Sequence, residues 1–122
     1  MPMAAKILVV DDHEDTSEWL REVLTQAGYD TLTANTFGDG MRKLSFEAPD
    51  LLIVDVRLDM YNGMQLVALG GGEKPVPAIV ITGFVDHGLE KEAHELKADF
   101  LIKPVAPSTL LALVERKLAS PA

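Results

Sequence analysis

The sequence predicts an α/β fold in which a doubly wound, five-stranded parallel sheet carries helices on both faces. Apolar runs too continuous for a one-sided sheet alternate five times with segments of helical periodicity, which gives a (βα)5 order. The chain has 122 residues and is 48% hydrophobic, the size and composition of one globular domain, so residues 1–122 are expected to form a single domain. It contains no Cys, which excludes disulfides and cysteine-ligated zinc.

Five strands are predicted, at residues 6–10, 29–34, 51–54, 77–81 and 100–102. The first, third and fourth are short apolar runs rich in valine, isoleucine and leucine, which is typical of strands buried on both faces. The second alternates polar and apolar residues, which favours a position at the edge of the sheet.

Five helices are predicted from apolar residues at helical spacing, at residues 14–27, 38–47, 63–69, 86–96 and from Ser108 to 118. Gly28 supplies a left-handed stop after the first helix, and Pro49 closes the second. The third helix is expected to be short, because each glycine of Gly70 to Gly72 disfavours a helix by about 1 kcal/mol relative to alanine. Ser108 is expected to cap the last helix, and residues 57–63 are expected to be a turn-rich loop.

The charge of the chain is negative and concentrated in its first half. The net charge is −8, and residues 1–60 hold 12 Asp and Glu against 5 Lys and Arg. A nucleic-acid surface would need Lys and Arg to displace counterions, so no direct contact with nucleic acid is expected. No apolar run reaches the roughly 20 residues of a membrane span. Lys6 is followed by only four apolar residues before two aspartates, too few for an export signal, so a cytoplasmic protein without membrane contact is expected.

Polar side chains follow the ends of four predicted strands. Asp11 and Asp12 follow the first strand, Asp55 the third, Thr82 the fourth and Lys103 the fifth. Because ligands of open parallel sheets bind beyond the carboxyl ends of the strands, these residues are expected to share one rim. Adjacent carboxylates repel one another unless a cation joins them, and oxygen ligands suit Mg²⁺. A phosphoryl group on one carboxylate would complete the metal's ligands, with Lys103 and the Thr82 hydroxyl bonding its remaining oxygens.

Each of these residues also has a simpler interpretation. Asp11 and Asp12 could favour the N-terminus of the first helix, and Asp55 could merely end a strand. Thr82 could cap a helix, and Lys103 could be a surface lysine. These explanations would all have to hold together, in this order along the chain, which favours a common site.

The ordered set resembles the receiver domain of two-component response regulators over the whole chain. The family's acidic pair corresponds to Asp11-Asp12, its phosphoaccepting aspartate to Asp55, its switch hydroxyl to Thr82, and its lysine before a proline to Lys103-Pro104. The resemblance implies a flavodoxin-like receiver fold. It also implies Mg²⁺-dependent transfer of a phosphoryl group to Asp55 from the phosphohistidine of a histidine kinase or phosphotransfer protein.

The resemblance further implies the metal ligands and the response to phosphorylation. Thr82 and Phe100 would be switch residues, and the face formed by the fourth helix, fifth strand and fifth helix would change shape. This face would engage a downstream effector protein or domain, or support a phosphorylation-dependent dimer. Such a chain is a regulatory domain that promotes its own phosphorylation and dephosphorylation. The implied ligands are Asp11 through water, the carboxylates of Asp12 and Asp55, and the backbone carbonyl of Arg57.

Three departures from the family pattern affect the loops. Asp59 replaces a proline that the family commonly carries, and the run Gly70 to Gly72 softens the third helix. Phe84, two residues beyond Thr82, is bulky enough to hinder an attacking water, which predicts a long-lived phosphoaspartate.

Two other functions compete with the phosphoacceptor switch. A phosphohydrolase of the haloacid-dehalogenase type needs an aspartate two residues after its nucleophile, where this chain has Arg57. A receiver-like interaction module that works without phosphorylation is favoured only by the altered loop at Asp59.

Four further residues are expected to lie outside the site. Trp19 is expected to be core or a partner contact. The three histidines lack metal-binding spacing with one another and are expected at the surface: His13, His87 and His94.

Overall fold

A computed structural model of the chain describes residues 4–58, 61–70, 76–83 and 86–119. The predictions that concern Asp59, Phe84, Gly71 and Gly72 fall outside these ranges.

The strands are, in chain order, β1 (Lys6–Val10), β2 (Asp30–Ala34), β3 (Leu51–Asp55), β4 (Arg57–Leu58), β5 (Tyr61–Asn62), β6 (Ala78–Thr82) and β7 (Asp99–Ile102). Five of them form a parallel sheet in the order β2-β1-β3-β6-β7. Every residue of the central strand, β3, is buried. The predicted fold class is confirmed, and β2 lies at a sheet edge as its polar alternation indicated.

The helices are α1 (Glu14–Gln26), α2 (Phe37–Glu47), α3 (Met64–Leu69), α4 (His87–Glu95) and α5 (Pro107–Ala119). Successive strand residues point to opposite faces of the sheet, so each strand contributes to two separate cores. Ile7 and Ile53 pack with residues of α1 and α5, whereas Leu8 and Val54 pack with residues of α2, α3 and α4. The sheet is therefore covered by helices on both faces.

The ends of two helices follow backbone preferences that the sequence indicates only in part. Gly28 adopts a left-handed φ of 100° after α1, as predicted. Ala48 also adopts a left-handed φ, of 48°, directly before Pro49. A residue that precedes proline is disfavoured in the right-handed helical region, which explains why α2 ends here.

The prediction that Ser108 caps the last helix is wrong. Helix α5 begins at Pro107, so Ser108 lies inside its first turn. The amide of Leu110 donates to the carbonyl of Ala106 at 3.0 Å, which places Ala106 just before the helix. Proline suits the first helical position because its φ is already helical and its missing N–H would have no partner there.

The predicted loop at 57–63 contains a short hairpin. Strands β4 and β5 pair antiparallel, with Arg57 opposite Asn62 and Leu58 opposite Tyr61. Leu58 is buried, which ties the hairpin to the core beneath it. Within the described ranges, none of the helices combines the length and the apolar content that a bilayer crossing requires.

Candidate functional site

Asp11 stands directly after β1 and is held on three sides. Its amide continues the pairing with β2 by donating to the carbonyl of Ala34 at 3.0 Å. Its carboxylate accepts a hydrogen bond of 2.8 Å from the amide of His13, and its carbonyl accepts one of 2.8 Å from the side-chain amide of Asn35. The Asp11 side chain is therefore fixed in orientation although it is almost fully buried.

Asp55 is the last residue of β3, and its two carboxylate oxygens have different partners. Oδ1 accepts a hydrogen bond of 2.9 Å from the amide of Arg57, and Oδ2 accepts one of 2.7 Å from the ammonium group of Lys103. Only 6% of the residue is exposed. A carboxylate at a strand end, with its rotamer set by both oxygens, is well placed to meet a ligand arriving at the rim.

The backbone around Asp55 depends on a close approach by Gly63. A Cβ at position 63 would lie 2.0 Å from the carbonyl oxygen of Asp55 and 2.9 Å from Cγ2 of Val54. The amide of Gly63 also donates to the carbonyl of Val56 at 2.6 Å. Glycine is thus required here because the start of α3 is packed directly against the end of β3.

Lys103 follows β7 and is the cation that the two buried carboxylates share. Its Nζ lies 2.7 Å from Oδ2 of Asp55 and 3.3 Å from Oδ2 of Asp11. Its own amide donates to the carbonyl of Thr82 at 2.7 Å, which fixes where the side chain begins. The peptide bond between Lys103 and Pro104 is cis.

The pKa of Asp11 and the pKa of Lys103 are both raised, for different physical reasons. Burial is the main reason that the pKa of Asp11 lies above 3.8, and the negative charge of Asp55 adds to it, while the His13 amide and Lys103 oppose it. For Lys103, burial lowers the pKa, but the hydrogen bond to Asp55 and the charges of both carboxylates outweigh burial and raise it above 10.5. The cluster therefore favours an additional positive charge.

Thr82 ends β6 and carries a buried hydroxyl. The residue is 0% exposed, and its Oγ1 has no hydrogen-bond partner in the part of the chain that the structure describes. Leaving a buried hydroxyl without a partner costs roughly 1–3 kcal/mol, which makes it suited to an incoming acceptor or donor. Phe100 of β7 is half-buried and packs against the core beneath α2, α3 and α4.

The acidic residues at the rim match the donors that a hard divalent cation prefers. Asp11, Asp12, His13 and Asp55 each offer a ligand atom, and these atoms all lie within 4.8 Å of one another. Three carboxylates are a suitable set for Mg²⁺, which favours oxygen ligands and keeps several waters. The amide of Arg57 lies beside Asp55, and the use of its carbonyl as a ligand stays a prediction.

Two residues of the site were missed by sequence reasoning. His13 is largely exposed, as predicted, but its Nδ1 lies 3.1 Å from Oδ1 of Asp12 and 3.4 Å from Oδ1 of Asp11. Asn35 joins Asp11 to the buried Ser17, donating to its Oγ at 2.9 Å. The position of His13 directly after the acidic pair was an available signal, whereas Asn35 becomes visible only when β2 lies beside β1.

The model of the family described as the response regulator receiver domain matches residues 7–115. The chain belongs to this family. The receiver domain is 33% identical over 115 residues to the alkaline phosphatase synthesis transcriptional regulatory protein PhoP of Bacillus subtilis, which covers 93% of this chain and 48% of PhoP. It is 33% identical over 124 residues to the DNA-binding response regulator MtrA of Mycobacterium tuberculosis, covering 95% of this chain and 51% of MtrA.

A solved structure supports the same assignment. The CheY-like response regulator receiver domain protein of Methanospirillum hungatei superposes on this receiver domain with a TM-score of 0.87 and 29% identity, over 94% of each chain. The receiver domain spans about half the length of PhoP and MtrA. Receiver domains bind Mg²⁺ in general, and response regulators interact with histidine kinases and effector domains.

Proposed function

We propose that this receiver domain is a phosphoacceptor switch and that Asp55 receives the phosphoryl group from the phosphohistidine of a histidine kinase or phosphotransfer protein. The observation that carries the proposal is the placement of Asp55: it is a buried carboxylate at the end of the central strand, 2.7 Å from the Lys103 ammonium and within the acidic cluster. Family membership supports the same role.

In the transfer, a carboxylate oxygen of Asp55 forms a bond to phosphorus as the P–N bond of phosphohistidine breaks. The electron pair of that bond returns to the imidazole ring, which leaves neutral when its other nitrogen carries a proton. Asp55 then holds an acyl phosphate, whose additional negative charge lies next to Lys103. Because the Lys103 ammonium already contacts Asp55, it can donate to a phosphoryl oxygen with little movement.

Mg²⁺ bound by Asp12, Asp55 and the carbonyl of Arg57, with Asp11 acting through water, would neutralise charge on the phosphoryl oxygens. The hydrogen bond from the His13 amide orients Asp11 toward this role. The same acidic residues would support autocatalytic loss of the phosphoryl group to water.

The output face comprises α4, β7 and α5. Thr82 is the residue that links it to Asp55, because its buried hydroxyl gains a partner by moving toward a phosphoryl oxygen. Thr82 pairs with Ile102 of β7, and Phe100 pairs with Val80, so a change at the end of β6 is transmitted to β7. A population shift of this face would alter binding to an effector protein or domain, or to a second copy of the chain. The cytoplasmic location stays a prediction.

The test is to incubate the chain with a small phosphodonor and Mg²⁺ and to measure its intact mass. The expected result is one added phosphoryl group. No group should be added when Mg²⁺ is chelated before the donor is supplied, and none should be added to Asp55→Asn. Asp50→Asn is the matched control, because Asp50 precedes β3 and so lies at the end of the strand opposite to Asp55. Within the described residues, its carboxylate accepts a hydrogen bond from the Lys6 amide. Phosphorylation of Asp55→Asn to the same extent would place the acceptor elsewhere.

A further inference from the structure

We infer that His13 supplies a nitrogen ligand at the acidic rim and that the site binds a divalent transition-metal ion of borderline softness, such as Co²⁺ or Zn²⁺, more tightly than Mg²⁺. This inference rests on the proposed metal-dependent function and extends its ligand set by one residue. Its basis is the position of the imidazole, which the phosphoacceptor chemistry does not use.

The first observation is that the His13 side chain does not cap α1. His13 occupies the N-cap position of α1, where a side chain usually accepts a hydrogen bond from an amide of the first turn. The His13 side chain makes no such bond. Instead its ring lies against the acidic pair, although 70% of the side chain is exposed and the ring could turn toward solvent.

The second observation is the spacing of the donor atoms. His13 Nδ1 lies 3.1 Å from Oδ1 of Asp12 and 3.4 Å from Oδ1 of Asp11. Two atoms bound to one ion at about 2.1 Å lie about 3.0 Å apart in an octahedron and about 3.4 Å apart in a tetrahedron. The 3.1 Å between His13 Nδ1 and Oδ1 of Asp12 is an ion-pair distance that also matches the separation of two neighbouring donor atoms on one ion, while Asp11 can act through water. One ligand atom of each of the four residues lies within 4.8 Å of the others.

The third step concerns the preference among metals. Three carboxylates alone favour Mg²⁺, whereas an added imidazole favours Co²⁺ and Zn²⁺, whose affinity for mixed nitrogen and oxygen sites exceeds that of hard cations. Mg²⁺ binds imidazole poorly and would leave His13 as a bystander. Removal of the imidazole should thus change the affinities of the two classes of metal differently.

The experiment uses the untagged chain carrying His87→Ala and His94→Ala as its parent. The sequence has 3 histidines, so His13 is then the only one. Titration calorimetry measures the Co²⁺ and Mg²⁺ affinities at one fixed pH, and the visible d–d absorption of the Co²⁺ complex reports whether nitrogen is bound. In His13→Ala the Co²⁺ affinity should fall at least about tenfold, and the absorption should change to that of an all-oxygen site. The Mg²⁺ affinity should stay within about twofold.

Two further variants complete the test. His13→Asn replaces the imidazole by a favourable N-cap residue, so it should reproduce the Co²⁺ loss without destabilising α1. Asp12→Ala should weaken both Co²⁺ and Mg²⁺, because both metals use that carboxylate. Equal Co²⁺ affinity and absorption with and without the imidazole would overturn the inference. An equal fold-change in the Co²⁺ and Mg²⁺ affinities would also overturn it, because His13 would then act only through its charge.

Phosphorylation of the parent with Mg²⁺ separates this inference from the function beneath it. A parent that gains no phosphoryl group overturns the proposed function. A parent that is phosphorylated normally, with Co²⁺ binding unchanged in His13→Ala, overturns only the role of His13.

Discussion

The ammonium group of Lys103 donates a hydrogen bond of 2.7 Å to the carboxylate of Asp55, although β6 lies between β3, which ends at Asp55, and β7, which Lys103 follows. The same ammonium lies 3.3 Å from Asp11. One cation thus offsets two buried negative charges.

Lys103→Met should destabilise the metal-free chain. The substitution keeps the length of the side chain but leaves Asp11 and Asp55 without this cation, and the free energy of unfolding should fall by about 1–3 kcal/mol. The loss should be smaller than for a fully buried pair, because 28% of the Lys103 side chain is exposed. Urea unfolding in a chelator measures it.

The control for this change is Lys91→Met, an exposed lysine on α4, for which a change of less than about 0.5 kcal/mol is expected. Adding Asp55→Asn to Lys103→Met should restore part of the stability, because it removes one of the uncompensated charges. A Lys103→Met chain as stable as the parent would show that the carboxylates do not depend on this lysine.

Gly63→Ala should destabilise the chain by about 2–3 kcal/mol and slow phosphorylation of Asp55. The added Cβ would meet the Asp55 carbonyl at 2.0 Å, so either β3 or the start of α3 must shift. Gly38→Ala is the matched control: a Cβ there has nothing within 4 Å, and Gly38 lies in α2. It should gain up to about 1 kcal/mol through helix propensity. Thermal unfolding compares the two variants, and equal effects would refute the packing explanation.

Asn35→Ala should lower the Mg²⁺ affinity substantially while lowering the free energy of unfolding only a little. The Asn35 amide donates both to the Asp11 carbonyl, at 2.8 Å, and to Ser17 Oγ, at 2.9 Å. Without it the Asp11 carbonyl loses its side-chain donor, although the Asp11 amide still donates to Ala34 of β2. The Mg²⁺ affinity should fall by about tenfold, the lower end of the range for residues that orient metal ligands. Titration calorimetry with Mg²⁺ gives the affinity.

Ser17→Ala is the companion variant for Asn35. It removes the hydroxyl but leaves the bond from Asn35 to Asp11, so the Mg²⁺ affinity should change by far less than in Asn35→Ala. If both variants weakened Mg²⁺ equally, the effect would come from the packing of α1 and not from the Asp11 carbonyl.

Asp39→Asn should lower stability at neutral pH and have no effect in strong acid. The hydrogen bond from Arg42 lowers the pKa of Asp39 below 3.8. Burial opposes this, and Lys43 lowers the pKa further. A carboxyl whose folded-state pKa is lowered stabilises the fold above its unfolded pKa and loses this effect as pH falls through the folded value. Because Asp39 is solvent-screened, the effect should stay below about 1 kcal/mol.

Urea unfolding as a function of pH tests the role of Asp39. The difference between parent and variant should be present above about pH 4, vanish as the folded pKa is passed, and shrink in high salt. Asp30→Asn, an exposed residue at the start of β2, should differ little from the parent across the range. A difference for Asp39→Asn that persisted at the acid end would point to lost packing.

The sheet was predictable because its strands are short apolar runs whose ends are marked by polar residues, as at Val10-Asp11 and Val54-Asp55. The β4–β5 hairpin was not, because two-residue strands have no periodicity to detect. Serine favours the N-cap position, which predicts Ser108 as the cap, but proline favours the first helical position, so Pro107 begins α5 and the N-cap lies two residues before Ser108, at Ala106. Trp19 lies on α1 and is 39% exposed, a value that helical spacing alone does not fix.

The acidic cluster was predictable in outline because the strands are parallel and their ends meet at one edge. Which carboxylate Lys103 prefers was not predictable, since that depends on differences of tenths of an ångström between Asp55 and Asp11. The contact between His13 and the acidic pair likewise depends on a side-chain rotamer, which spacing along the chain does not determine.

The hydrogen bond between the Lys103 amide and the Thr82 carbonyl, at 2.7 Å, ties the backbones of two residues whose side chains serve the same rim. A displacement of the β6 terminus toward a phosphoryl group should therefore carry the start of the Lys103 side chain with it. The Thr82 hydroxyl and the Lys103 ammonium are thus expected to respond to a new charge at the rim together and not one after the other.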